Sequence, residues 1–311
     1  MSVDSAGPAA APTATDGSTV RLAAAMVALA STMFAISDAA GKLLSHELAT
    51  AQIVWARYAF ALPLILLATA PHARPTLLRV ERPWLQIGRA TLPIAASFAI
   101  IVALRHLPMA EVATLTFASP ILVVALSTLV TGERPVRRHW VGVSLGFIGI
   151  LVIVRPGANA LAWAAVFPLV SATCFALFQL LTRVVGRSTP AATTLAWTLG
   201  AGFLMTTPLA LLDWYPVDLR AWALLVLSGL SFGAAQYLLT RAFGRAPAAT
   251  ITPFTYAQII PAIGCDYLLF GLTPDLVGLL GTGIVIAAGL YALGGRSPAA
   301  PARTSADSAV R

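Results

Sequence analysis

Residues 105–157 read RHLPMAEVATLTFASPILVVALSTLVTGERPVRRHWVGVSLGFIGILVIVRPG, and the two apolar runs in this stretch decide the fold. One extends from about Ala110 to Val130 and the other from Trp140 to Val154, with the charged turn Gly132-Glu133-Arg134-Pro135-Val136-Arg137-Arg138 between them. Each run is near the ~20 residues a helix needs to cross a ~30 Å hydrocarbon core. The turn is short and charged, which puts it at a membrane surface. The stretch predicts a helical hairpin in a bilayer.

The same pattern returns 139 residues later, where Pro108, Ala110, Thr116, Gly132, Pro135 and Gly142 meet Pro247, Ala249, Thr255, Gly271, Pro274 and Gly281. Recurrence in register marks an internal duplication. At an offset of 141, Phe34-Ala35 meets Phe175-Ala176, Asp38 meets Gln179 and Lys42 meets Arg183.

Composition extends this reading to the whole chain. Apolar residues make up 58% and charged ones 10%, against ~25% charged in soluble domains, and mean hydropathy is +0.84. Apolar runs are spread over the full length, and in lipid the backbone must satisfy its own hydrogen bonds, so these runs are helices. The expectation is an all-α integral membrane protein with ten transmembrane helices in two inverted five-helix repeats. The first repeat occupies 20–156, with spans at 20–44, 50–70, 84–104, 110–130 and 140–154. The second occupies 157–293, with spans at 162–184, 192–212, 221–241, 248–270 and 276–293. The Ala/Pro/Ser-rich ends, 1–19 and 294–311, read as disordered cytoplasmic tails.

Orientation follows from arginine. With the N-terminus inside, Arg74, Arg79, Arg82, Arg134, Arg137, Arg138, Arg183, Arg187, Arg241 and Arg245 fall on inner loops and flanks, and Arg105, Arg155 and Arg220 on outer ones. That bias puts both termini in the cytoplasm and the protein in the cell inner membrane. Five spans per half make the second copy cross in the opposite sense to the first, as in many secondary transporters. The net charge of +8 lies in short loops, so no nucleic-acid partner is inferred. Cys174 and Cys265 fall inside spans and read as packing residues. No metal, cofactor, catalytic-triad or phosphate-loop pattern is present, so an ATP-driven pump is not the expectation.

Charge inside a span is costly and faces the bundle interior or a wet cavity. Asp38 and Lys42 are one helical turn apart, which suits either an intrahelical ion pair or a binding and coupling role; Lys42 also lies within snorkelling reach of the surface. Arg57, between Trp55 and Tyr58, is either a partner for Asp38 or Glu111 or a fixed cation for a substrate carboxylate or phosphate. Arg89, Arg183 and Arg241 read as snorkelling side chains. Glu111 suits a helix N-terminus, and Asp266 is a candidate for ion coupling alongside Asp38. Polar and proline residues at bilayer depth, Thr114, Thr116, Ser119 and Pro120 in span four and Thr252, Pro253, Thr255, Tyr256 and Gln258 in span nine, point to a central site. The expected substrate contacts are Arg57, Trp55, Tyr58, Lys42, Thr116, Ser119, Tyr256 and Gln258. The glycines of spans five and ten (Gly142, Gly146, Gly149, Gly278, Gly281, Gly283 and Gly289) suit close helix packing.

LPMAEVATLTFASPIL, TGERP and HWVGVSLGFIGILVIVRPG, with RAPAATITPFTYAQIIPAIGCDYLLFGLTPDLVGLLGTGIVIAAGLY in the second half, resemble the drug/metabolite transporter superfamily of the EamA-domain type. The resemblance covers about 25–293. The first turn keeps the family's acidic residue as Glu133, whereas Leu272 stands at the corresponding place in the second. The QIVWARY and LLTRAF segments are similar to those of carriers for riboflavin, S-adenosylmethionine or opine-type metallophores. What this implies is a secondary carrier, not an enzyme, of a small anionic or zwitterionic metabolite. Export, proton coupling and no cofactor are expected, with import of riboflavin or S-adenosylmethionine as the alternative, and pairing of two copies as a homodimer is left open. A membrane-embedded enzyme on lipid-linked substrates would want clustered histidines or carboxylates, and His46, His72, His106 and His139 are scattered over loops.

Overall fold

In the computed structural model the described residues are 17–68, 80, 83–130, 137–155, 162–185, 190–246 and 251–293. All elements among them are helical. The first half contains α1 (Gly17–Leu44), α2 (Thr50–Ala68), α3 (Pro83–Leu104), α4 (Met109–Thr116), α5 (Ser119–Val130) and α6 (Arg137–Val154). In the second half a 3₁₀ turn (Ala162–Ala165) leads into α7 (Val166–Val185), followed by α8 (Ala191–Leu212) and α9 (Leu219–Phe243). A 3₁₀ stretch (Thr252–Gln258) then precedes α10 (Ile259–Phe270), and α11 (Leu276–Leu293) ends the bundle. Helix α1 begins at Gly17, so residues 17–19 are helical where a tail was expected. The Glu133 turn, the tails and the loops bearing Arg74 and Arg187 lie outside the described residues.

Among the described residues six helices are long and apolar enough to span a membrane: α1, α2, α3, α8, α9 and the stretch Trp163–Thr182 that contains most of α7. The other apolar helices are shorter, Met109–Val123, Trp140–Val154, Phe254–Phe270 and Leu276–Tyr291. Spans four and nine are not continuous α-helices, and proline gives the reason. Pro120 has no N–H for the carbonyl of Thr116, and its ring crowds that carbonyl; α4 ends at Thr116 and α5 begins at Ser119. Pro261 stands in the same relation to Ala257, at the end of the 3₁₀ stretch.

Exchanging the two halves maps the main helix contacts onto one another. α1 packs on α9 as α7 packs on α3, α2 on α9 as α8 on α3, and α5 on α7 as the second 3₁₀ stretch on α1. The pairs α2–α8 and α6–α11 map onto themselves. In the latter, a Cβ on Gly149 would come within 3.1 Å of the Gly281 carbonyl, and one on Gly281 within 3.1 Å of the Gly149 carbonyl. These two glycines let the backbones touch; Gly283, expected to do the same, has open space beside it. The radial distribution suits lipid. Leu67, Trp84, Leu204, Leu212, Ile260 and Leu268 are exposed, whereas Ser37, Arg57, Arg89, Thr114, Ser228 and Asp266 are buried.

Candidate functional site

The two broken spans meet at the middle of the bundle. Phe117, at the break between α4 and α5, lies edge-on to Tyr256 in the 3₁₀ stretch, with ring centroids 4.8 Å apart. These two residues correspond at the 139-residue offset. Polar groups surround the contact. Ser31 of α1 donates to the Thr255 carbonyl at 3.4 Å, and Gln179 of α7 donates to Ser119 Oγ at 3.2 Å. Thr116 bonds back to the Val112 carbonyl at 2.7 Å, while Gln258 and Thr255 are half-buried. The Tyr256 hydroxyl is buried with no hydrogen-bond partner among the described residues, in a niche that a Cβ on Gly289 would fill.

The intramembrane charges do not pair along α1. Asp38 and Lys42 each find a partner on another helix, which replaces the intrahelical pair expected as one alternative. Arg57 of α2 donates from Nη2 to Asp38 Oδ1 at 2.8 Å and to the Ser37 carbonyl at 3.3 Å. Gly41 makes room for it, since a Cβ there would lie 3.1 Å from Nη2. Lys42 donates to Asp266 Oδ1 at 3.2 Å and to the Leu107 carbonyl at 3.1 Å, with Phe270 beneath its ammonium at 4.6 Å. It is therefore buried in the bundle and does not snorkel. Asp266 also accepts from the backbone N–H of Met109 at 3.0 Å and of Ala110 at 2.9 Å. An anion at the start of α4 suits the helix dipole and its unpaired N–H groups.

Of the other expected contacts, Trp55 and Tyr58 bond elsewhere, although Tyr58 and Arg57 both pack on the Phe232 ring. The Trp55 indole N–H donates to Thr207 at 3.1 Å among Phe60, Phe203 and Trp214. The fully buried Tyr58 hydroxyl lies 3.3 Å from Ser97 Oγ. The structure brings Thr116, Ser119, Tyr256 and Gln258 to the central break and leaves Trp55 and Tyr58 outside it. Arg57 and Lys42 already hold carboxylates.

Arg89 corrects a further expectation. It does not snorkel: it is 0% exposed and binds Gln86, Thr182, Thr198 and the Thr194 carbonyl at 2.8–3.2 Å, with Phe178 stacked on the guanidinium. It thereby joins α3 to α7 and α8. Sequence reasoning missed its role because Thr182, Thr194 and Thr198 lie 93 to 109 residues away along the chain. Gln86, one turn earlier on the same face, was the signal available.

The loops after α1, α3, α8 and α10 gather at one end of the bundle, the distal end. The ion pairs that join the halves among the described residues lie there, Lys42–Asp266, Glu47–Arg220 at 3.2 Å and Arg155–Asp275, beside the two bonds between the Gln52 side chain and the Tyr215 backbone at 3.0 and 3.2 Å. His106 packs on Trp163 with ring centroids 4.8 Å apart. Hydrogen bonding to the Arg155 guanidinium holds the Asp275 carboxyl below the usual carboxylate range. Gly271 starts this last loop at φ 63°, a left-handed turn in which its N–H and that of Leu272 satisfy the Tyr267 and Asp266 carbonyls.

Comparison with known proteins agrees with this architecture. A pseudopaline exporter of Pseudomonas aeruginosa is 29% identical over 85% of this chain and 93% of its own. A riboflavin transporter of Rhizobium johnstonii is 29% identical over 69% of this chain and 71% of its own. An S-adenosylmethionine uptake transporter of Rickettsia prowazekii is 22% identical over 82% and 87%. A protein solved by crystallography superposes with a TM-score of 0.62 at 17% identity, covering 88% of this chain and 96% of its own, and so shares the fold. The profile of the EamA-like transporter family matches residues 21–155 and again 162–293. This chain belongs to the EamA-like transporter family, and it is a membrane transporter, not an enzyme.

Proposed function

We propose that the protein is a secondary carrier of a small, polar, zwitterionic metabolite, built as ten membrane crossings in two inverted five-helix repeats with both termini in the cytoplasm. The observation that carries this reading is the distal seal. It is made of ion pairs and hydrogen bonds that run between the halves, so a rocking motion of one half against the other would break it as a set. Helix pairings that exchange when the halves are swapped, and span interruptions at matching places, support the inverted arrangement. Spans four and nine would each be completed across the break.

Transport would proceed through the region around Phe117 and Tyr256, with the distal end closed in the state described. Export is the proposed direction, supported by the higher identity to the exporter, 29% over 85% of this chain, than to the S-adenosylmethionine uptake transporter, 22% over 82%. Coupling to protons is assigned to Asp266, whose carboxylate would lose three donors when the seal opens. Two measurements test the reading. Alkaline phosphatase fused after Gly294 should be inactive and fused near Glu47 active; the reverse would overturn the topology. Purified protein in liposomes should release a loaded metabolite mixture faster than protein-free liposomes, and collapse of the proton gradient should slow it.

A further inference from the structure

We propose that Asp38 receives a protonated amine of the transported molecule on the carboxylate oxygen that Arg57 leaves free. This rests on the carrier reading above and specifies its substrate chemistry. Of the Asp38–Arg57 pair, the cation is walled in and the anion is not. The Arg57 side chain is 2% exposed against 16% for Asp38, and Ser37, Gly41 and Phe232 close around the guanidinium. Arg57 takes Oδ1; no described residue donates to Oδ2.

Helical register places Asp38 toward the central break. On α1, Ser31 contacts Thr255 and Lys42 contacts Asp266. Asp38 lies on the same stripe, seven residues after the first and four before the second, so it faces the part of the second half between those two partners. The position is also asymmetric. Its counterpart in the second half, Gln179, is neutral and occupied with Ser119. Thr116, Ser119, Thr255 and Gln258 are neutral as well, so Asp38 is the charged acceptor among the described polar groups of this region.

A carboxylate offers about four lone-pair positions, and a guanidinium on one oxygen leaves the other able to accept a charge-assisted bond from an ammonium. In a site of low effective dielectric that bond discriminates strongly against a molecule without the donor. The substrate class is then an amine-bearing, amino-acid-like molecule.

The test uses the full chain in liposomes loaded with a bacterial metabolite extract supplemented with amino acids and their matched 2-hydroxy acids, with efflux followed by mass spectrometry. Amine-bearing compounds should leave at least tenfold faster than their hydroxy counterparts, and Asp38→Asn should remove that preference. Asp38→Asn leaves Arg57 buried without its acid and can fail to fold. The double variant Asp38→Asn/Arg57→Met removes both charges and should insert normally yet lose the preference. Equal efflux of both classes by the unmodified protein, or a preference kept by the double variant, would overturn the assignment while the carrier reading stands. Efflux of nothing above protein-free liposomes would overturn the carrier reading and the assignment with it.

Discussion

Two buried ion pairs of like chemistry hold different things together. Asp38–Arg57, at 2.8 Å, joins α1 to α2 and lies wholly within the first half. Lys42–Asp266, at 3.2 Å, joins α1 to α10 and spans the halves. Both avoid the cost of leaving a lone charge in the bundle, which for a broken buried pair is about 3–5 kcal/mol. The first pair would travel intact with its half in any rocking motion. The second must come apart if the distal end is to open, and the N–H groups of Met109 and Ala110 would leave Asp266 with it. Position relative to the internal duplication, more than distance or burial, separates a brace from a latch.

The largest expected effect falls on the brace. Arg57→Leu should strip Asp38 of its partner, lower stability by about 3–5 kcal/mol, and reduce membrane abundance and the melting temperature in detergent. Adding Asp38→Asn should restore most of the loss. Failure of the second change to rescue would mean that Arg57 is needed for its packing on Phe232.

The latch should behave otherwise. Lys42→Met with Asp266→Asn removes both charges, so abundance should hold while the distal end loosens. A cysteine at Leu107, which is buried beneath the seal, should then react severalfold faster with an impermeant maleimide, measured in a background without Cys174 and Cys265. Unchanged labelling would show that the remaining links keep the end shut by themselves.

A neutral tie between the halves separates charge from location. Ser37 and Ser228 join α1 to α9 with their hydroxyls 3.2 Å apart. Ser228→Ala should lower the melting temperature by an amount near 1 kcal/mol and leave Leu107 labelling unaltered, because α1–α9 packing lies below the distal seal. The smallest effect belongs to Asp275, whose pair with Arg155 also spans the halves but is half-exposed. Such surface pairs contribute about 0–1 kcal/mol, so Asp275→Asn should hardly change stability at neutral pH. Its carboxyl is held below the usual range, hence the contribution is present above the unfolded-state value near ~4 and fades as pH falls through the lower folded-state value. Melting curves from pH 7 to pH 3 should lose their difference between variant and parent at the acid end.

Much of this was legible in the chain. Apolar runs and charged turns sufficed for a helical membrane protein, because a bilayer leaves the backbone few other choices. The duplication showed in Thr116 and Thr255, Gly132 and Gly271, Gly142 and Gly281. Pro120 and Pro253 marked spans four and nine as irregular at bilayer depth, whereas Pro63, Pro93 and Pro208 sit inside unbroken helices, so where a span breaks was settled by the fold. Intramembrane charge marked Asp38, Lys42, Arg57 and Asp266 as residues that needed partners. Which partner each took was decided only by the tertiary structure. Asp38 and Lys42 are a turn apart and could have bonded to each other, yet Arg57 reached one past Gly41 and Asp266 reached the other beside the start of α4. Arg89 shows the same limit: it sits where a side chain could escape to the surface, and packing of α7 and α8 enclosed it among hydroxyls and a carbonyl. Local sequence carries the cost of burying a charge; only the fold brings residues as distant as Lys42 and Asp266 close enough to offset it.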